Sequence, residues 1–312
     1  MTKEPAKATR AALGQTLVEL FEEGVDVYAV DADLSGSTTT ARLREVDPSR
    51  HINVGIAEQN MIGVAAGLAL TGKTVFTGSF AVFGTGRVYD QIRNSVCYAG
   101  LDVKLAPTHA GISVGPDGGS HQMIEDLALM RVLPGMRVLV PADYHAARAA
   151  LRIAALTPGP FYVRLGRASV PQIYESPAGF ALGSARVLRP GRDVTIVACG
   201  MEVPIALEAA MTLAERGIEA ELIDAFSLKP LDEATILASA SKTGAVLVAE
   251  EHSIIGGLGS AVAEALCTRP GILTRPLMRV GVQDRFGSSG GIDELFREYR
   301  LDAQAICELV LQ

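Results

Sequence analysis

Apolar residues recur at helical spacing from about Ala8 to Glu23, where Leu13, Leu17, Leu20 and Phe21 share one face and Gly24 stands where the helix should end. A short apolar run, Val25 to Val30, then reads as a strand that closes in an Asp-rich loop. The alternation repeats with a helix after Glu58, a strand near Thr74 to Phe80, a helix from about Arg87 to Tyr98 and a strand at Asp102 to Pro107. Beyond a Gly-rich loop, His109 to His121, follow a short helix, the strand Met136 to Val140, a helix with Asp143 as N-cap, and the strand Phe161 to Leu165. Strands and helices alternating in this way predict a mainly parallel sheet.

From Ala168 to Arg192 the periodicity lapses, and Pro171, Pro177, Gly179, Gly183, Pro190 and Gly191 accumulate. A second alternating block starts at Asp193 to Ala198 and runs through Pro204 to Arg216, Ala220 to Asp224, Asp232 to Ser241, Ala245 to Ala249, Leu258 to Leu266 and Leu277 to Val282 into two terminal helices. The expected fold is α/β, with two doubly wound, mainly parallel-sheet domains at 1–170 and 191–312 joined by a linker at 171–190.

Composition narrows the function classes. With 312 residues and a formal charge of −7, the chain has room for two cores and no general basic face for nucleic acid. Its four cysteines lie far apart, in neither a C-x-x-C pair nor a zinc-like spacing, and read as buried free thiols in a reducing compartment. The stretch Met1 to Arg10 lacks a signal-peptide core, and the uncharged run Met61 to Leu70 is too short to cross a bilayer. A cytoplasmic protein that binds neither nucleic acid nor membrane is expected.

Ligands of open parallel sheets bind beyond the carboxyl ends of the strands. Asp33 and Ser37, Phe80 and Phe83, the segment His109 to His121, and Arg167 each follow the end of a predicted strand, so they should converge on one rim. Glu58 opens a helix whose next turns carry no charge. It reads either as a solvated first-turn acid favoured by the helix dipole, or as a carboxyl held in an apolar site and able to share a proton with a ligand nitrogen. In the segment from Thr108 to Gln122, glycines let backbone approach a ligand, while His109, Asp117 and His121 offer hydrogen bonds and proton transfer to a polar substrate. Phe80 and Phe83 read as core or as walls for a flat ring.

Several of these strings carry a family resemblance. Gly-Ile-Ala-Glu-Gln-Asn-Met around Glu58, Gly-Ser-Phe-Ala-Val-Phe around Phe80 and Phe83, and the loop from Thr108-His109 to Asp117-Gly-Gly-Ser-His121-Gln resemble the pyrimidine-binding domain of transketolases. They are also similar to 1-deoxyxylulose-5-phosphate synthases. In the second block, Val248-Ala-Glu-Glu-His252 and Gly256-Gly-Leu-Gly259 resemble the family's C-terminal domain.

The resemblance implies thiamine diphosphate bound across a subunit interface, with its aminopyrimidine in this chain. Glu58 would hydrogen-bond a pyrimidine nitrogen and promote the imino tautomer that takes the thiazolium proton. Phe80 and Phe83 would line the ring pocket, and Asp33 would lie near the cofactor. Ser37, His109 and Arg167 would contact the sugar phosphate, while Asp117 and His121 would meet the substrate hydroxyls. Glu58, His109 and His121 are the expected catalytic residues, and no metal ligand is expected in this chain. The third aromatic often found in that pocket would map to Gly86, Val88 or Tyr89.

The family's diphosphate domain carries Gly-Asp-Gly with a downstream Asn, and this sequence has no such string. The diphosphate and its Mg²⁺ would then be held by a separate N-terminal subunit, in a heterotetramer of two chains of each kind acting on sugar phosphates. Two details leave the substrate open: Pro116 replaces an acidic residue common in full-length transketolases, and Arg87-Val-Tyr-Asp-Gln91 leans toward the deoxyxylulose synthases. Rival readings are a split deoxyxylulose synthase, the beta subunit of a 2-oxo acid dehydrogenase decarboxylase, and a regulatory chain that kept the fold.

Overall fold

A computed structural model of the chain describes residues 2 and 4–312. Its first sheet has seven strands in the order Ser227–Lys229, Arg137–Leu139, Phe161–Val163, Val103–Leu105, Thr74–Gly78, Val27–Asp31 and His51–Asn53. Every pairing in it is parallel except that of Ser227–Lys229 with Arg137–Leu139. The second sheet runs Met278–Val282, Val246–Ser253, Val194–Ala198, Ala220–Asp224 and Arg186–Arg189, with only the last strand antiparallel.

Central strands such as Val194–Ala198 and Ala220–Asp224 are buried along their whole length, because helices cover both faces. The Ala11–Glu22 helix buries Leu13, Leu17 and Leu20 as its periodicity predicts. Asp143 caps the Tyr144–Leu156 helix by accepting from the Ala146 amide. Its other carboxylate oxygen accepts from the Ile173 and Tyr174 amides, each at 2.8 Å, and so fastens the start of the connecting segment.

Several elements depart from the sequence expectation. Two short helices, Ser35–Thr38 and Ala41–Val46, and the strand His51–Asn53 fill a region that shows no clear periodicity. The region from Val82 to Cys97 is not one regular helix; it is largely wide-turn helix, Val82–Gly86 and Ile92–Cys97, around a short α-helical piece. Arg186–Arg189 edges the second sheet, and Ser227–Lys229 leaves the second block to edge the first. The cysteines are not all buried as expected: Cys199 and Cys307 are, Cys97 is half-buried, and Cys267, the last residue of the Leu258–Cys267 helix, is exposed. No helix among the described residues is long and apolar enough to cross a membrane.

Candidate active site

The carboxyl ends of four adjacent parallel strands, Val27–Asp31, Thr74–Gly78, Val103–Leu105 and Phe161–Val163, form the floor of the site. Buried Asp31 shapes the first loop: one oxygen accepts from the Leu34 amide at 2.6 Å, the other from the Thr38 and Thr40 hydroxyls at 3.1 and 2.9 Å. That turn presents Asp33 in a left-handed conformation, φ 63°, where its amide and carboxylate both bond the Asn53 side chain at 3.1 Å.

At the second and third strand ends the backbone keeps pairing past the sheet: Thr108 donates to Ser79 and Ala81 donates to Thr108. This register lays the His109 ring on Phe80, with centroids 3.8 Å apart and planes 25° from parallel. Phe83 stacks loosely on Phe80 at 6.2 Å, and His121 meets Phe83 edge-on at 5.4 Å and Phe80 at 6.5 Å. Two phenylalanines and two histidines from distant loops thus form one cluster.

His109 also has a left-handed backbone, φ 61°, and its Nδ1 lies 2.7 Å from the Thr108 hydroxyl. Burial, aided by the charges of Arg10, Arg167 and His121, pushes its pKa down to about 3. The imidazole is therefore neutral at pH 7 and serves as a hydrogen-bonding group rather than a cation. Since the unfolded chain takes that proton first, near 6.5, this group weakens the fold as pH falls from there toward 3.

Glu58 heads the Glu58–Ala69 helix and is only 3 % exposed. Its surroundings are not wholly apolar, however: Arg87 Nη1 lies 2.9 Å from its Oε2, and the same guanidinium lies 4.5 Å over the Phe83 ring. A flat group that donates N–H to Glu58 and stacks on Phe83 already fits here, which is the shape and chemistry of an aminopyrimidine edge. The residues present therefore suit an aminopyrimidine, and Arg87, which the sequence analysis did not count as a site residue, occupies that place beside Glu58. Of the three positions considered for a further aromatic, Gly86 and Val88 carry no ring, and Tyr89 is half-buried.

Arg10 is a second residue that sequence reasoning missed. The strand pair Lys7–Ala8 with Ser169–Val170 brings the chain's start beside the end of the fourth strand's loop, and the Gly166 amide bonds the Thr9 hydroxyl at 2.7 Å. Arg10 then donates to the Ser37 carbonyl at 2.9 Å. Burial and the nearby Arg167 charge together lower its pKa. Arg167 donates to the Val114 carbonyl at 2.5 Å and stands 3.7 Å from Asp117. Arg10 and Arg167, whose charges both act on His109, make an electropositive corner of a kind suited to a phosphate, with Ser37 joined to it through its carbonyl. Asp117, expected at the substrate hydroxyls, faces Arg167 and is about one-third exposed.

Beneath the loop, Arg164 is buried and binds both oxygens of Asp126, at 2.7 and 3.2 Å, while the Tyr162 hydroxyl donates to Asp126 at 2.5 Å. Burial alone would raise the Asp126 carboxyl, but the Arg164 charge overrides it and holds the pKa below the ordinary value. Among the described residues, no group of three or more His, Cys, Asp or Glu side chains is placed to hold a metal ion.

Comparison with known proteins identifies both halves of the chain. Residues 5–172 match the transketolase pyrimidine-binding domain, and residues 183–306 match the transketolase C-terminal domain. The chain belongs to the transketolase family, a family of thiamine-diphosphate enzymes. Within it, the chain is a split-transketolase-type subunit. It is 47 % identical over 308 residues to a putative transketolase C-terminal section of Methanocaldococcus jannaschii, spanning 98 % of this chain and 96 % of that one. A 6-deoxy-6-sulfo-D-fructose transketolase subunit of Clostridium sp. strain MSTE9 is 46 % identical, over 93 % of this chain and 89 % of its own. Among solved structures, a split-gene transketolase described as an inactive β4 tetramer superposes with a TM-score of 0.89, at 48 % identity and 98 % coverage of both chains.

Proposed function

We propose that this chain is the pyrimidine-side subunit of a two-chain transketolase that moves a two-carbon ketol unit from a ketose phosphate to an aldose phosphate. The observation that carries it is the meeting, on one rim, of buried Glu58, the ring cluster around Phe80 and Phe83, and the Arg10–Arg167 corner beside neutral His109.

Thiamine diphosphate, when bound, supplies the nucleophilic carbon and electron sink that sugar cleavage needs. Glu58 would hydrogen-bond a ring nitrogen at the edge of the pyrimidine, Phe80 and Phe83 would exclude water from its face, and Asp33 would lie at the margin of the cofactor site. Asp117 and His121 orient the substrate hydroxyls beside the reacting carbons. His109 adds a neutral hydrogen bond near them, and Ser37, Arg10 and Arg167 grip the phosphate.

The Gly-Asp-Gly string is missing from the sequence, so we assign the diphosphate and its Mg²⁺ to an N-terminal partner subunit, two of each chain forming a heterotetramer. The outer face of the helix behind Glu58 supports a docking role: Gly63 and Gly67 have open space where a Cβ would stand, and Ile56 and Leu70 are 79 % and 73 % exposed. A relative described as a split-gene transketolase in an inactive β4 tetramer supports the need for a second kind of chain. We place the enzyme in the cytoplasm, where its four free cysteines would stay reduced.

Mixing the chain with an N-terminal transketolase subunit, Mg²⁺ and thiamine diphosphate should create ketol transfer between sugar phosphates, while the chain alone should bind the cofactor poorly. Tight cofactor binding by the isolated chain would count against the proposal, and condensation of pyruvate with an aldose phosphate would point to the deoxyxylulose synthase reaction. In the assembled pair, Arg167→Ala should raise KM for phosphorylated donors by about tenfold or more, the worth of one charge-assisted hydrogen bond, and barely change it for unphosphorylated ones. Equal effects on both donor types would separate Arg167 from phosphate.

A further inference from the structure

The segment bearing His109, Asp117 and His121 has almost no sheet to lean on, and what lies behind it belongs to the second domain. Glu251, on the strand Val246–Ser253, reaches across with a carboxylate that is 3 % exposed. Its Oε1 accepts from the Ser113 amide at 2.6 Å, and Arg164 lies 3.8 Å from its Oε2. The fit is close enough that a Cβ on Gly111, whose φ is +85°, would stand 2.3 Å from that carboxyl group.

A second contact comes from the loop Phe286–Gly291. Gln122 Nε2 bonds the Ser288 carbonyl at 2.9 Å and also the Ile112 and Gly115 carbonyls at 3.2 and 3.3 Å. Ser289 Oγ donates to the Pro116 carbonyl at 2.5 Å. A Cβ on Gly119 would come within 2.5 Å of the Gly287 carbonyl oxygen. The Tyr299 hydroxyl, in turn, anchors this loop through the Phe286 carbonyl at 2.8 Å.

We propose that the second domain positions the substrate-binding segment: Glu251 and the Phe286–Gly291 loop hold residues 111–122 from behind, and so fix where His109, Asp117 and His121 meet the sugar. The inference rests on the transketolase reading for its substrate. Glu251 is a positioning residue, since it acts on the sugar only through the Ser113 backbone. At this seam the Glu251 carboxylate and the Ser289 hydroxyl are directed at the backbone of one loop, Gln122 of that loop bonds back to the Ser288 carbonyl, and Gly111 and Gly119 admit the close approach.

The test uses Glu251→Gln, Glu251→Ala and Ser289→Ala in the full chain paired with an N-terminal subunit. Glutamine keeps an oxygen for the Ser113 amide. In Glu251→Ala, KM for the ketose phosphate should rise about tenfold while thiamine diphosphate affinity stays within about twofold, and Glu251→Gln should return KM to within about threefold of the original. Ser289 is exposed, so Ser289→Ala should fold normally and raise KM by about two- to fivefold.

An unchanged KM in Glu251→Ala would overturn the proposal, as would a glutamine variant no better than alanine. Were Glu251→Ala not to fold, an unchanged KM in Ser289→Ala would be decisive against it. Hydrogen exchange in the chain alone separates this from the functional reading: the amides of residues 111–115 and 117 should exchange faster in the variants whether or not the pair transfers ketol units. Unaltered exchange there refutes the positioning role, whereas loss of ketol transfer in the unmodified pair refutes only the assigned reaction.

Discussion

In the assembled pair, Glu58→Ala should lower kcat by about 10²- to 10⁴-fold, the usual worth of a positioned proton-transfer group. Assembly should be unaffected. Glu58 is buried at the head of its helix, one oxygen engaged by Arg87, so alanine removes both the acid and the partner of that guanidinium. Arg87 is 49 % exposed and can turn to water, which keeps the structural cost small. Glu58→Gln should be nearly as slow as alanine, because the amide can hydrogen-bond a ring nitrogen but cannot exchange a proton with it. Sedimentation would confirm the oligomer and single-turnover kinetics would read the chemistry; a near-normal kcat with intact assembly takes Glu58 out of the mechanism.

The largest stability effect is expected at Arg164. Arg164→Met leaves the buried Asp126 carboxylate without its charge partner and takes a neighbouring charge from Glu251, so the folded chain should lose about 3–5 kcal/mol. Urea denaturation measures this, and a loss below about 1 kcal/mol would show that the ion pair holds little of the fold. Asp126→Asn added to Arg164→Met should recover part of the loss, because no unpaired carboxylate then remains at that position. The linkage has a definite sign. Asp126 has a folded pKa below its unfolded value of 3.8, so its contribution is present above that pH and disappears as pH falls through the folded value.

Much of the site was legible because its residues sit where strand-end loops must be. Phe80, Phe83, His109, His121 and Arg167 follow strands whose apolar runs are plain in the sequence, and parallel topology gathers such loops on one edge. Glu58 announced itself by the uncharged turns behind it. Arg10 did not, since its place depends on the pairing of Lys7–Ala8 with Ser169–Val170, a contact between distant positions made by strands too short to show alternation. Arg87 was visible as a letter, but its reach back to Glu58 depends on the wide helical turns that precede it. Asp117 shows the converse: its place in the loop is plain in the sequence, whereas its approach to Arg167 depends on how that loop folds. Glu251 entered the sequence reading only within a string resembling the family, because nothing local shows that its carboxylate crosses to another domain.

The strand Ser227–Lys229 also limits where this polypeptide can be divided. It comes from the second half but lines the outer edge of the first half's sheet, covering Arg137–Leu139. A break anywhere in the Pro- and Gly-rich connection would leave that edge bare on the amino-terminal fragment, with unpaired amides and carbonyls ready to recruit a strand from a neighbouring molecule. However flexible the connection reads in sequence, the two halves are interlaced, and neither would be a self-sufficient module.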